Sequence, residues 1–237
     1  SDDHKTGAIV EVNSETDFVA KNADFQAYVA KVAEQALATE SETLEAFMAE
    51  PWIEDASLTV EQALSQKIAV IGEKLSIRRF QKIVSTDGVV TTYIHGGGKI
   101  GVLVELTTDS ADAAILECGK NVAMQTAALK PLYTSESEVD ASYIEHEKEV
   151  LMAQAKNEKP DANEKILTGM VMGRIKKEMK EVCLLDQVYV KAEDGKQSVA
   201  KYVEEVAKAA GTKVAVKGFV RFETGEGMEK KEENFAE

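Results

Sequence analysis

The stretch VEVNSETDFVAKNADFQAYVAKV, Val10 to Val32, changes period halfway. It begins as an apolar strand. Past a Thr16-Asp17-Phe18 turn it becomes a helix in which Phe25, Val29, Val32 and Ala36 fall at i, i+4, i+7 and i+11, a single buried stripe. The turn leaves a large aromatic at the lip of a helix. If Thr16 caps a short helix, Asp17 lies in its first turn, where a negative charge suits the helix dipole. Phe18 then has two readings. Its ring either folds back onto Phe25 and closes the strand–helix layer, or projects as an anchor for a partner's cleft with the Asp17 charge beside it. Both stay open on the residues alone.

Outward from this stretch the chain repeats itself. Gly7-Ala8-Ile9-Val10-Glu11-Val12 is echoed by Gly101-Val102-Leu103-Val104-Glu105-Leu106, each copy followed by a Thr/Asp/Ser-rich turn and an Ala-rich helix. Such a repeat is too long for a solenoid and points to two related subdomains. In the second helix Ser110 is the expected cap, and Ile115, Gly119, Val122, Thr126 and Leu129 form the inward stripe. A further helix starts at Thr59 with Gln62 placed for a capping box. It turns Leu64, Ile68 and Ile71 inward and stops at Gly72. After it, Leu75 to Val84 reads as a strand, Asp87-Gly88 as a hairpin turn and Val89 to Ile94 as the returning strand. Gly96-Gly97-Gly98 then leads into a strand near Ile100.

Between the second helix and the late strands, Val139, Tyr143, His146 and Val150 step by helical spacing, as do Met172, Ile175, Met179 and Val182, with Lys159-Pro160-Asp161 as the break. This predicts an antiparallel helical hairpin over 137–180, either protruding toward a partner or a second copy, or folded onto its own core. The fold class is therefore α+β, with two related subdomains whose small antiparallel sheets are flanked by helices. The expected divisions are 1–98 for the N-terminal subdomain, and 99–136 with 181–237 for the C-terminal one, into which the hairpin is inserted.

Composition narrows the function. The chain has 237 residues, 44% hydrophobic and 30% charged, enough apolar material for one or two ordinary soluble domains. No apolar run approaches the roughly 18 residues of a membrane span, and Ser1-Asp2-Asp3-His4-Lys5 lacks the pattern of a secretory signal. A cytoplasmic location is expected, with an organellar one left open. Formal net charge is −14, and 13 Asp and Glu stand against three Lys up to Val60. Phosphate binding needs a positive face, so nucleic acid is not the expected partner. Cys118 and Cys183 have no Cys or His at zinc-like spacing and read as small core residues.

Catalytic constellations are few. His4, His95 and His146 lie too far apart in sequence for a metal pattern. Gly96-Gly97-Gly98-Lys99 lacks phosphate-loop spacing and precedes a strand where a helix N-terminus is needed. His95 is expected at a hairpin tip. No cofactor and no metal site are expected, and a hydrolytic enzyme lacks a nucleophile–base pair. A binding protein without covalent chemistry remains, one version being an acidic dimeric scaffold that holds a basic partner.

The stretch EVNSETDFVAKNADFQAYVAKV resembles the strand, TDFVAK and helix signature of the elongation factor Ts family, the guanine-nucleotide exchange factors of elongation factor Tu. The resemblance recurs in IGEKLSIRR (Ile71–Arg79), YIHGGGKIGVLV (Tyr93–Val104) and GFVRFETGEGMEK (Gly218–Lys230), in the same order along nearly the whole chain. It implies a two-subdomain core with a helical arm used for dimerisation or partner contact, and elongation factor Tu as partner. It also implies that Thr16, Asp17, Phe18 and Val19 of TDFV are the group that meets the partner, Asp17 and Phe18 entering beside its bound Mg²⁺. Ile71 and Gly72 of IGE and His95 of YIHG match further partner-contacting positions. So does Val190 of QVYV, although the family pattern carries Pro where Val188 stands. Departures accompany the match: the family's small ubiquitin-associated-type domain would precede Ser1, so the chain reads as truncated, and a final helix from about Glu233 would run past Glu237. Thr39–Ala56 and Asn157–Thr168 also look longer than the family pattern.

Overall fold

The computed structural model describes residues 1–229. It is a mixed α+β protein with small sheets flanked by helices. The chain forms two compact units. The first takes 1–86, 92–103 and, among the described residues, 220–229; the second takes 87–91 and 104–219.

The first unit opens with strand β1 (Thr6–Asn13), then a one-turn helix α1 (Asp17–Ala20) and helix α2 (Ala23–Ala38). Asn22 caps α2, its side-chain oxygen accepting from the amides of Asp24 and Phe25. The expected α2 stripe is inward: Phe25, Val32 and Ala36 are buried and Val29 packs against them. Next come a short helix α3 (Leu44–Met48) and a hairpin of strands β2 (Pro51–Trp52) and β3 (Asp55–Thr59). Composition did not announce these pieces. They are anchored by Phe47 and Trp52 in the core and by Glu50, whose carboxylate accepts hydrogen bonds from Gln35, Thr39 and Ser41. Helix α4 (Val60–Ile71) carries the expected Thr59–Gln62 capping box and ends at Gly72, whose φ of 79° is the left-handed geometry that glycine adopts without strain.

Strand β4 (Ser76–Val84) pairs antiparallel with β1, from Thr6 opposite Val84 to Asn13 opposite Ser76. A bulge breaks the ladder: Glu11 faces Arg79, yet Val12 faces Ile77, so Arg78 is the extra residue. Successive strand side chains normally alternate faces. The bulge cancels that alternation and lets both arginines reach one carboxylate. The Glu11 side chain is only 1% exposed; it accepts from Arg78 Nη1 at 3.0 Å and from Arg79 Nε at 2.9 Å. The Asn13 amide (3.0 Å) and the Gly225 N–H (3.3 Å) complete its shell. The same arginines donate to the Glu226 and Glu223 carbonyls, and the Arg79 guanidinium lies 4.1 Å from the Phe222 ring centroid. One buried acid thus ties the β1–β4 ribbon to residues 222–226.

The Asp87-Gly88 hairpin expected between β4 and the next strand is not formed. Strand β5 (Gly88–His95) belongs to a different sheet, of order β5-β6-β7, with β6 (Ile100–Thr108) and β7 (Val214–Glu223). Gly88 serves closeness instead of a turn: a Cβ there would run into the Leu106 carbonyl. Asp87 accepts from Lys217 at 3.1 Å, and its carbonyl accepts from the Thr108 amide.

In the second unit, helix α5 (Ala113–Leu129) starts two residues later than expected. Asp112 is its N-cap residue, while Ser110 Oγ accepts from the Asp112 amide. Ile115, Gly119, Val122 and Thr126 are buried as the spacing predicts, but Leu129, the last helical residue, is exposed. The helical hairpin is present as α6 (Ala141–Glu158) and α7 (Glu164–Val182). Of the expected seam, Val139, Tyr143, Ile175, Met179 and Val182 lie in the hairpin's apolar cluster, and three positions do not. Ala155, Leu167, Val171, Ile175 and Met179 are buried and Leu151 and Met152 pack on them, whereas His146, Val150 and Met172 face out. Ala155, with none of its surface exposed, takes a seam position that the spacing did not mark. Helix α8 (Val199–Ala210), capped by Ser198, precedes β7. Both cysteines are buried, and burial pushes each thiol up to about 11, as expected of core residues. The final helix expected from Glu233 lies outside the described residues.

Burial raises the Glu11 pKa, but hydrogen bonds from Arg78, Asn13, Arg79 and Gly225 outweigh it and hold the carboxyl below its ordinary 4.5. Its stabilisation is therefore full above pH 4.5 and lost as pH falls through the lower folded value. Glu11→Gln is expected to cost about 3 kcal/mol in urea unfolding at pH 7, because it removes the buried charge that two part-buried guanidinium groups face. The gap from wild type should narrow when the same unfolding is measured at pH 3.

Candidate functional site

The β1 strand delivers the chain to Ser14, where regular pairing stops and the Thr16-Asp17-Phe18-Val19 turn begins. Thr16 is the N-cap of α1: its backbone is extended, and its Oγ1 accepts from the Val19 amide at 3.3 Å. Asp17 occupies the first helical position. Within this single turn the side chains divide. Val19 is buried with Phe25 and Tyr28, and Phe18, about 100° away around the helix axis, points outward with 87% of its surface exposed. Phe25 is itself inside the core, so the strand–helix layer closes without Phe18.

Two of the sequence-predicted groups meet here. The Gly72 turn places Glu73 against Thr16: the Thr16 N–H donates to Glu73 Oε2 at 3.2 Å and Thr16 Oγ1 donates to Oε1 at 2.6 Å. In return Glu15 Oε2 accepts from the Lys74 amide at 3.3 Å. TDFV and IGE are thus joined by two hydrogen bonds, and their flanking residues Glu15 and Lys74 by a third, with Ile71 half-buried on the core and Gly72 exposed. Glu73 and Glu15 were missed by sequence reasoning. Their one visible signal was position, an acid next to a helix-ending glycine and an acid next to a cap.

His95 ends β5 in the same unit and is exposed, at the mouth of the glycine turn that leads to β6. Its Nδ1 lies 2.9 Å from Tyr93 Oη, two residues back on the same strand face, and not against the Thr16–Glu73 pair. Val190 belongs to the second unit. Its N–H donates to Gln125 Oε1 at 2.8 Å while Gln125 Nε2 donates to the Val188 carbonyl at 3.0 Å. The fully buried Gln125 thereby fixes a segment whose two valines, Val188 and Val190, stand exposed. Gln125 was also missed, since a glutamine between apolar stripe positions looks like a surface residue. Among the described residues no group of three or more His, Cys, Asp or Glu is arranged to hold a metal ion.

The turn thus displays one exposed aromatic on a backbone braced by Thr16 and Glu73. Residues 15–226 match the family model described as Elongation factor TS. The chain belongs to the elongation factor Ts family. It is 54% identical over 237 residues to Elongation factor Ts of Clostridioides difficile (strain 630), covering all of this chain and 76% of that protein. Elongation factor Ts of Clostridium botulinum (strain Eklund 17B / Type B) is 51% identical and that of Clostridium novyi (strain NT) 45%, each over 238 aligned positions and the same 76% of its length. This family member is thus a translation elongation factor that spans about three quarters of the relatives' length.

Thr16→Ala removes the cap and the hydroxyl bond to Glu73, and leaves the bond from the residue-16 backbone N–H. It is expected to speed amide hydrogen exchange at Val19 about fivefold or more, the effect of losing ~1 kcal/mol of capping. Because α1 buries only Val19, the global Tm should fall by no more than a few degrees.

Proposed function

We propose that this chain promotes GDP release from elongation factor Tu in the cytoplasm, with Phe18 as the wedge and Asp17 as the charge beside it. The observation that carries this reading is the exposure of Phe18, 87%, on a turn whose neighbouring Val19 is buried. Leaving a phenyl ring in water is unfavourable by about 2 kcal/mol relative to burying it. A partner's cleft supplies the burial that its own subunit does not.

No bond-making is required. Mg²⁺ holds nucleotide phosphates only in near-ideal octahedral geometry, so a ring that displaces its ligands on the partner by about an ångström weakens both ion and phosphate binding. Asp17, carrying the same sign as the phosphates, adds repulsion near the metal site. The factor lowers nucleotide affinity to the extent that it binds the empty GTPase more tightly. Linkage makes this reciprocal, and rebinding of GTP expels the factor. Ile71, Gly72, His95 and Val190 widen the contact. The α6–α7 hairpin, on which Val150, Ile166 and Met172 are exposed, is the element we assign to the partner or to a second copy.

Phe18→Ala should leave the fold intact and lower the rate of catalysed release of a fluorescent GDP analogue about 30-fold, the ~2 kcal/mol of an anchoring aromatic. A scaffold that merely holds a basic partner gives no acceleration with either protein. Asp17→Asn is expected to cost less, about threefold in the same assay, through lost charge alone. For His95→Ala the readout is affinity for nucleotide-free elongation factor Tu by calorimetry, with about a tenfold rise in Kd expected for loss of an interface hydrogen bond.

A further inference from the structure

Helix α1 is four residues long and buries one side chain. A helix of that length has no stability of its own in water, because nucleation fixes several dihedrals for a single hydrogen bond. The direction in which Phe18 leaves the surface must therefore be held from outside α1. Val19 anchors α1 in the core and the Gln26 side chain donates to the Ala20 carbonyl; at its N-terminal end, next to Asp17 and Phe18, the hold passes through Thr16. Its hydroxyl donates to Glu73 Oε1 while accepting from the Val19 amide, a chain of two bonds running from carboxylate to helix backbone, and its own N–H donates to the other Glu73 oxygen. An ionised acceptor at the head of such a chain strengthens each bond behind it. Glu73 is itself placed by the Gly72 turn at the end of α4, and the Glu15–Lys74 bond returns the link from the other side.

We infer that Glu73 is a positioning residue for nucleotide exchange: its carboxylate clamps Thr16 and so pre-orients the Phe18 ring. The inference rests on the reading of Phe18 as the wedge. Without the clamp the turn samples several directions, and only the fraction with the ring correctly aimed can enter the partner. Glu73 acts through Phe18, not by touching the GTPase.

The test is a double-mutant cycle on the release of a fluorescent GDP analogue from elongation factor Tu, followed against factor concentration. It uses wild type, Glu73→Ala, Phe18→Ala and the double variant. Glu73→Ala is expected to lower the saturating rate about tenfold, equivalent to ~1.4 kcal/mol. In the Phe18→Ala background the same change should have no further effect, since there is no ring left to aim. Val19 amide exchange should accelerate in Glu73→Ala, with the circular dichroism spectrum unchanged. Multiplying losses in the double variant would show Glu73 acting directly on the partner and overturn the positioning role. A Glu73→Ala rate equal to wild type, with Phe18→Ala still impaired, overturns the inference and leaves the wedge standing. A Phe18→Ala rate equal to wild type removes the wedge and the inference with it. Should Glu73→Ala fail to fold, Glu73→Gln keeps the volume and one acceptor. It is expected to give a smaller loss that again vanishes without Phe18, and a loss that persists there counts against positioning.

Discussion

The first unit depends on a carboxylate that cannot reach water. Glu11, with 1% of its side chain exposed, would be strongly destabilising were it alone. The β-bulge that brings Arg78 and Arg79 to it together turns that liability into a junction, because each arginine has donors left over for the Glu226 and Glu223 carbonyls. The bulge in the β1–β4 ribbon and the tie to residues 222–226 meet at this one charge. The rigid frame that results is what allows a short turn at the end of β1 to hold a defined shape.

On that frame the surface proposed for exchange is made with little material. Val19 holds α1 to the core, Thr16 caps it, and Glu73 and Glu15 lace the turn to the chain leaving α4. Phe18 is excluded from the interior by geometry, since its neighbour on the same turn already occupies the inward position. Preorganisation of this kind lowers the ordering cost of binding, and it matters most for a rigid aromatic entering a narrow cleft. The acidity of the first sixty positions complements such a role, keeping the surface soluble while a large apolar ring is displayed.

Much of this was legible because local chemistry and tertiary structure agree. The α2 stripe, the Thr59–Gln62 capping box, Gly72 and the glycine turn after His95 follow from residue spacing, as does the helical hairpin. The errors have physical causes. Asp87-Gly88 has the composition of a tight turn, but Gly88 is needed for backbone proximity to Leu106, and pairing of β4 with β1 is a long-range choice that no local signal encodes. On the hairpin, Val139, Tyr143, Ile175, Met179 and Val182 sit in the seam as their spacing implies, while the apolar Val150 and Met172 face outward and the small Ala155 is buried without a strong apolar signal. In the site, the TDFV residues could be named from sequence and resemblance. Glu73 could not, because an acid on a loop of an acidic chain carries no distinguishing mark until its partner Thr16 is in view. The direction of the Phe18 ring was likewise undecidable from spacing, which permits both an inward and an outward rotation.

The central claim is that Phe18 enters elongation factor Tu beside its magnesium site. The most direct measurement places a photo-activatable phenylalanine at position 18, irradiates the complex with nucleotide-free elongation factor Tu, and maps the cross-linked residues by mass spectrometry. The account predicts a single cluster of cross-links on the helices flanking the magnesium and phosphate site, abolished when GTP and Mg²⁺ are added before irradiation. Cross-links confined to a surface remote from that site, or unchanged by GTP, would contradict it.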